Sequence, residues 1–201
     1  MNETINPFEI ACDKATATQS SAVSKRIELG TLCLADSVAR LHLPISKLHG
    51  VSISLEMGFE SGFGYDEPSK QFTSVVKIHC KGKVGEPNGT MVERDADVFT
   101  VAATYVLEMR LVQDFESQEE RNAHLASFSA TNAPMAVWPC WRDFLQSATG
   151  RMGLIPVTAP FLRVDVKTGA SEETPVSPEA KGHDIKEGIR AHMRKKHGRQ
   201  K

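Results

Sequence analysis

The chain has 201 residues, 40% hydrophobic and 24% charged, with a formal net charge of −1. That is enough for one domain with a real core, and the composition is that of a soluble globular protein, not a fibrous or disordered one. No apolar run approaches the roughly 20 residues that cross a bilayer, and MNETINPFEI lacks the basic-then-apolar pattern of a secretory signal, so a cytoplasmic location is expected.

Charge is unevenly spread. Residues 181–201 carry eight Lys+Arg against two Asp+Glu, a net of +6, which leaves −7 on the rest of the chain: an acidic body with a basic tail. The four cysteines, Cys12, Cys33, Cys80 and Cys140, form no CxxC pair and have no His at zinc-ligand spacing. Their wide spacing argues against a structural zinc and for reduced, buried thiols.

In chain order, residues 1–23 are polar, Ser/Thr/Ala-rich and weakly patterned, and are read as a flexible N-terminal segment on which no helix is imposed. In RIELGTLCLADSVARLHL, Ile27, Leu29, Leu32 and Leu34 alternate imperfectly, with Gly30 placed for a bulge; helix is the alternative over Leu34–Leu43. In GVSISLEMGF, Val51, Ile53, Leu55 and Met57 alternate with Ser52, Ser54 and Glu56, a strand with one apolar face. A loop containing Gly62, Gly64 and Pro68 is expected next. FTSVVKIHCKGKV puts Val76, Ile78 and Cys80 on one face and Lys77, His79 and Lys81 on the other, and GEPNG reads as a turn. DVFTVAATYVLEMRLV is a third strong strand. Short links between these strands predict an antiparallel meander.

The pattern then changes. Ser117-Gln118-Glu119-Glu120 has capping-box form and opens a helix that turns Leu125 and Phe128 inward, to about Ser129. Asn132 to Pro134 should break it. Pro139 suits the first turn of a second helix, along which Trp141, Phe144, Leu145, Ala148 and Met152 recur at three- and four-residue steps, with Gly150 and Gly153 marking the end. LIPVTAPFLRV is extended, and from Lys167 the chain is Pro/Ser/Glu-rich and read as disordered, with Ile185, Ile189 and Met193 spaced for a short basic amphipathic helix. Strands followed by helices give an α+β domain, one antiparallel sheet with two helices after it on one face. The expected boundaries are 1–23, 24–166 for the domain, and 167–201 for linker and basic tail.

Catalytic and metal chemistry find little support. GFESGFG (58–64) lacks the Lys-Ser/Thr of a phosphate loop and the spacing of a dinucleotide fingerprint; with Phe59, Phe63 and Tyr65 it reads as an aromatic loop. Cys140 has only His124 near it in sequence as a base and reads as an inert buried thiol. Glu93, Asp95 and Asp97 alternate as if along one strand face, a metal site by one reading and a solvated face or acidic docking patch by the more ordinary one. No metal, no cofactor and no enzymatic site is expected.

The segment APMAVWPCWRDFLQSATGRMGLIPVTAPFLRV, residues 133–164, resembles the C-terminal helix region of the SecB export-chaperone family. Pro134, Trp138-Pro139, Arg142-Asp143, Arg151, Pro156 and Ala159-Pro160 stand where that family has its proline before an apolar pair, its aromatic-Pro helix start, its Arg-acid pair and its Ala-Pro strand. The resemblance covers about 32 residues closely and the upstream strand order in outline.

It implies a four-stranded antiparallel sheet followed by two helices, subunits joining sheets into dimers and dimers into a homotetramer, and holding of unfolded clients in apolar grooves without nucleotide. The clients implied are unfolded precursors passed to the SecA motor in protein transport, or an antitoxin in the toxin–antitoxin branch. The basic tail departs from the acidic tail of the export members and favours a dedicated antitoxin or general holdase. Met and aromatic side chains adapt to varied partners. The expected client-binding residues are therefore Met57, Phe59, Phe63, Tyr65, Met135, Val137, Trp138, Leu154 and Phe161, with core packing equally open for Val137 and Leu154. Trp141, Phe144, Leu145 and Ala148 are expected at an oligomer interface, Trp141 there or in the core, and Glu93, Asp95 and Asp97 as an acidic docking face. The alternative from another class is nucleic-acid binding through RAHMRKKHGRQK, disfavoured by the acidic body and the lack of a stacking motif.

Overall fold

The computed structural model describes residues 8–85 and 93–167. The elements run β1 (Phe8–Asp13), α1 (Lys14–Ser24), β2 (Ile27–Leu41), β3 (Ile53–Asp66), β4 (Gln71–Val84), β5 (Asp97–Leu111), α2 (Gln118–Arg151) and β6 (Leu162–Lys167), with one 3-10 turn at Ile45–Lys47. Strands β2, β5, β4 and β3 lie in that spatial order in one antiparallel sheet, and β1 and β6 form a separate parallel ribbon. The α+β class and the four-stranded antiparallel sheet are as expected, and there are two helices, but α1 precedes the sheet and only α2 follows it.

Alternation sets the faces. On β4, Phe72, Val76, Ile78 and Cys80 are buried on the helix side while Lys77 is exposed on the other. Central β5, flanked on both sides, buries Val101, Ala103, Tyr105, Leu107 and Met109. Gly30 is the expected bulge: the β2–β5 register slips between Leu29 and Thr31, and a Cβ at Gly30 would lie 2.6 Å from the Glu108 carbonyl oxygen. The strand continues through Leu41, so the helical alternative over Leu34–Leu43 falls. The predicted Gly62–Gly64 loop is strand: β3 pairs with β4 in register from Ile53↔Val84 to Asp66↔Gln71. Glycine inside a strand is locally weak, but an uninterrupted ladder holds it here.

Within residues 1–23, read as a flexible segment, residues 8–23 form β1 and all but the last residue of α1. Asp13 caps α1 by accepting from Thr16 N at 2.6 Å, which holds its carboxyl below the ordinary range. Small hydroxyl residues then let α1 approach α2 closely. Thr131 donates to Ser20 at 2.7 Å, Ser127 to Gln19 at 2.7 Å, Asn132 to Ser24 at 2.7 Å, and Val23 is fully buried. Composition alone concealed this because, apart from Val23, the side of α1 that meets α2 is polar and satisfied by pairing.

The two helices expected over 117–152 are one, of 34 residues and about 51 Å. Glu120 N donates to Ser117 Oγ (3.1 Å), and the Glu120 carboxylate accepts from Glu116 N (3.0 Å). Pro134 and Pro139 lie inside the helix, each at an intrinsic cost of about 3 kcal/mol. Burial on both sides of them offsets this: Leu125, Val137, Trp141 and Leu145 are fully buried against the sheet, each worth about 1.5–3 kcal/mol. The helix ends as expected at Gly153 (φ +79°), where Gly153 N donates to Gly150 O (3.0 Å) and Leu154 N to Thr149 O (3.2 Å), a Schellman closure.

Candidate functional site

Helix α2 lies over β3, β4 and β5 and barely reaches β2. On β2 the residues paired with helix-facing positions of β5 are Leu29↔Met109, Leu32↔Leu107 and Leu34↔Tyr105. Their β5 partners are buried, yet Leu29 is 78%, Leu32 41% and Leu34 47% exposed. β2 is also an edge of the sheet. An edge strand of 15 residues with an uncovered apolar row is a surface built to be covered.

A second apolar region gathers where β1, β3, α2 and the approach to β6 meet. The Phe8 ring stacks on Trp138 (centroids 5.4 Å apart, interplanar angle 10°) and meets Phe59 edge-on at 6.1 Å. Trp138 is 4% exposed and its Nε1 donates to Pro160 O at 2.9 Å. Next to it Phe161 is 72% exposed, with the Arg142 guanidinium 4.6 Å from its ring centroid; Ile155 and Met135 are exposed too.

Of the expected client-binding residues, the fold joins Phe59 and Trp138 through Phe8 and leaves Phe161 and Met135 open. Trp138 is covered within the chain, not presented to solvent, because β1 lies on it. Met57 and Leu154 are half-buried against the core, and Phe63 packs on Phe72 at 6.1 Å. Tyr65 is taken up by Arg121, whose guanidinium lies 4.3 Å from the ring centroid and forms a bidentate pair with Glu67 (3.2 Å each). Burial raises the Tyr65 hydroxyl above its usual range. Val137 is core.

Of the residues expected at an oligomer interface, Trp141, Leu145 and Ala148 are buried within the chain, Trp141 in the core as one of its two readings had it, and Phe144, 6.1 Å from Trp141, is half-buried beside them. Three- and four-residue spacing marks an apolar stripe without saying whose surface meets it. Glu93, Asp95 and Asp97 do not alternate on a strand: Asp95 is in a turn at φ +65° and β5 begins only at Asp97. No group of His, Cys, Asp or Glu among the described residues is placed to hold a metal.

The cysteines also differ from expectation. Only Cys80 is buried, its thiol pushed up to about 12; Cys140 is exposed, and Cys12 and Cys33 are half-buried. His124 stands sixteen residues before Cys140 on α2, about 24 Å away along the axis, and its ring bonds the Glu120 carbonyl oxygen at 2.8 Å. The pair cannot act together. GEPNG beyond Gly85, the amphipathic stretch at Ile185–Met193 and the basic tail lie outside the described residues.

Phe8, Ile155 and the β2 leucines went unnoticed as surface features. Phe8 follows Pro7 in an unpatterned stretch, and the leucines carry an ordinary core-strand pattern.

Among solved structures, the chain is similar to Rv1957, the SecB-like chaperone of Mycobacterium tuberculosis in complex with a ChAD peptide from the HigA1 antitoxin. The TM-score is 0.56 at 18% identity, over 74% of this chain and 99% of that one. It also aligns with a Streptococcus agalactiae protein of unknown function, at TM-score 0.34 and 12% identity over 67% and 97%. No family model and no curated protein matches the sequence. At such identity the mycobacterial likeness is one of fold, and the fold is SecB-like. No helix among the described residues is long and apolar enough to cross a membrane.

Proposed function

We propose that this chain is an ATP-independent holdase chaperone that binds unfolded or aggregation-prone segments of other proteins on apolar surface. The observation that carries the reading is the apolar surface left open on a rigid SecB-like scaffold: Leu29, Leu32 and Leu34 beyond the reach of α2, and Met135, Ile155 and Phe161 along and after it. Monomeric soluble proteins seldom leave such rows uncovered. The two regions divide the work. The β2 edge pairs subunits, with a homotetramer as the expected assembly, and the region around Phe59, Trp138 and Phe161 receives the client. Its place of action is the cytoplasm.

The mycobacterial neighbour's complex with an antitoxin peptide makes a dedicated antitoxin the favoured client, ahead of export precursors delivered to SecA. In the test, purified protein is added to thermally unfolding citrate synthase without nucleotide, and its mass is read by light scattering. Suppressed aggregation by a tetramer is the expected result. A monomer without protective activity overturns the reading. Pull-down from the source cells then separates an antitoxin client from SecA with precursors.

A further inference from the structure

We infer that β1 is an internal occupant of the client groove, a strand of this chain that a client's extended apolar segment displaces from β6. The inference rests on the holdase reading above and adds to it a gate and a specification of the guest.

β1 belongs to no part of the main sheet. Among the described residues it pairs only with β6, in parallel, from Phe8↔Leu162 to Asp13↔Lys167, and Phe8 N donates to Phe161 O at 2.8 Å. A two-stranded ribbon is marginal in water by itself, and parallel pairing is the weaker kind. Its anchors are two alternate side chains: Phe8, between Trp138 and Phe59, and Ile10, which is buried, while Glu9 and Ala11 face solvent.

Removing β1 leaves a site suited to a substitute. Trp138 keeps its hydrogen bond to Pro160 O, so removing the strand leaves its N–H satisfied and the slot beside it apolar. The β6 backbone loses its partner and becomes a free edge, the surface to which extended peptides add as strands. α1 need not move, because Gln19, Ser20 and Ser24 hold it to Ser127, Thr131 and Asn132 of α2; the hinge falls at Asp13, the cap of α1. The guest so specified is an extended segment parallel to β6 with an aromatic residue and, two positions on, a branched aliphatic one.

Two full-length variants test this against reduced, carboxymethylated α-lactalbumin, a permanently unfolded probe. Phe8→Ala/Ile10→Ala loosens the strap. Val166→Cys, at the position paired with Cys12, locks it through a disulfide when oxidised. If β1 is closed in about nine molecules of ten, loosening tightens probe binding roughly tenfold. The oxidised locked form loses binding that reduction restores. Folded variants that bind as the wild type does, with equal binding in the oxidised and reduced locked forms, overturn the gate and leave the holdase reading standing. No binding by any form, the loosened one included, overturns both.

Discussion

β4 and β2 carry the same kind of pattern and meet different fates. On β4 the helix-facing residues Phe72, Val76, Ile78 and Cys80 are all sealed; on β2 the equivalent leucines stand open to solvent. The difference lies in neither strand but in α2, which lies over β3 to β5 and barely reaches β2. Alternation tells which face of a strand is apolar. What covers that face is a property of the neighbouring element, and among the described residues nothing covers the β2 row.

The largest expected effect that sharpens this contrast is at Trp141. Trp141→Ala should cost about 3–5 kcal/mol in urea unfolding, because the ring is fully buried; a cost near that of an exposed site would break the contrast. Next is Pro139→Ala. Pro139 is exposed inside α2, so replacing it restores a helix hydrogen bond without losing packing, and stability should rise by about 1–3 kcal/mol. A loss would mean that the proline ring itself is needed for α2 to lie on the sheet.

Leu32→Ser/Leu34→Ser should change monomer stability by within about 1 kcal/mol yet shift the mass in light scattering toward smaller species. An unchanged mass would remove β2 from the assembly. The smallest effect is chemical. At pH 8 iodoacetamide should modify Cys140 in the folded protein and leave Cys80 intact, as mass spectrometry can show, since burial pushes the Cys80 thiol up to about 12. Tyr105 is likewise raised to about 12 by burial. Both groups keep their protons in the fold after the unfolded chain has begun to release them. Their stabilising contribution is therefore complete below the ordinary thiol value of 9.0 and is lost as pH rises toward 12.

Strand faces, the Gly30 bulge, the Ser117 cap and the Gly153 stop were legible, because each depends on a few adjacent residues with one steric or hydrogen-bonding requirement. The break expected at Pro134 was not there. A local rule weighs the proline's cost alone, whereas Val137, Trp141 and Leu145 bring burial from across the sheet that outweighs it. The α1–α2 contact was hidden for the converse reason: its hydroxyl pairs look like solvent-facing composition until two distant segments meet. Of the aromatic cluster, Phe59 and Trp138 were singled out by their residue type, but their common partner Phe8 lies in a stretch with no pattern.

Side-chain periodicity and local backbone chemistry sufficed for the apolar faces of the strands, the Gly30 bulge, the Ser117 cap and the Gly153 stop, and for an antiparallel sheet followed by helix. Which apolar faces stay open, that Trp138 lies beneath a strand of its own chain, and that α2 runs unbroken were settled by packing. Those depend on the reach of one element over another, a distance in space that no spacing along the chain encodes.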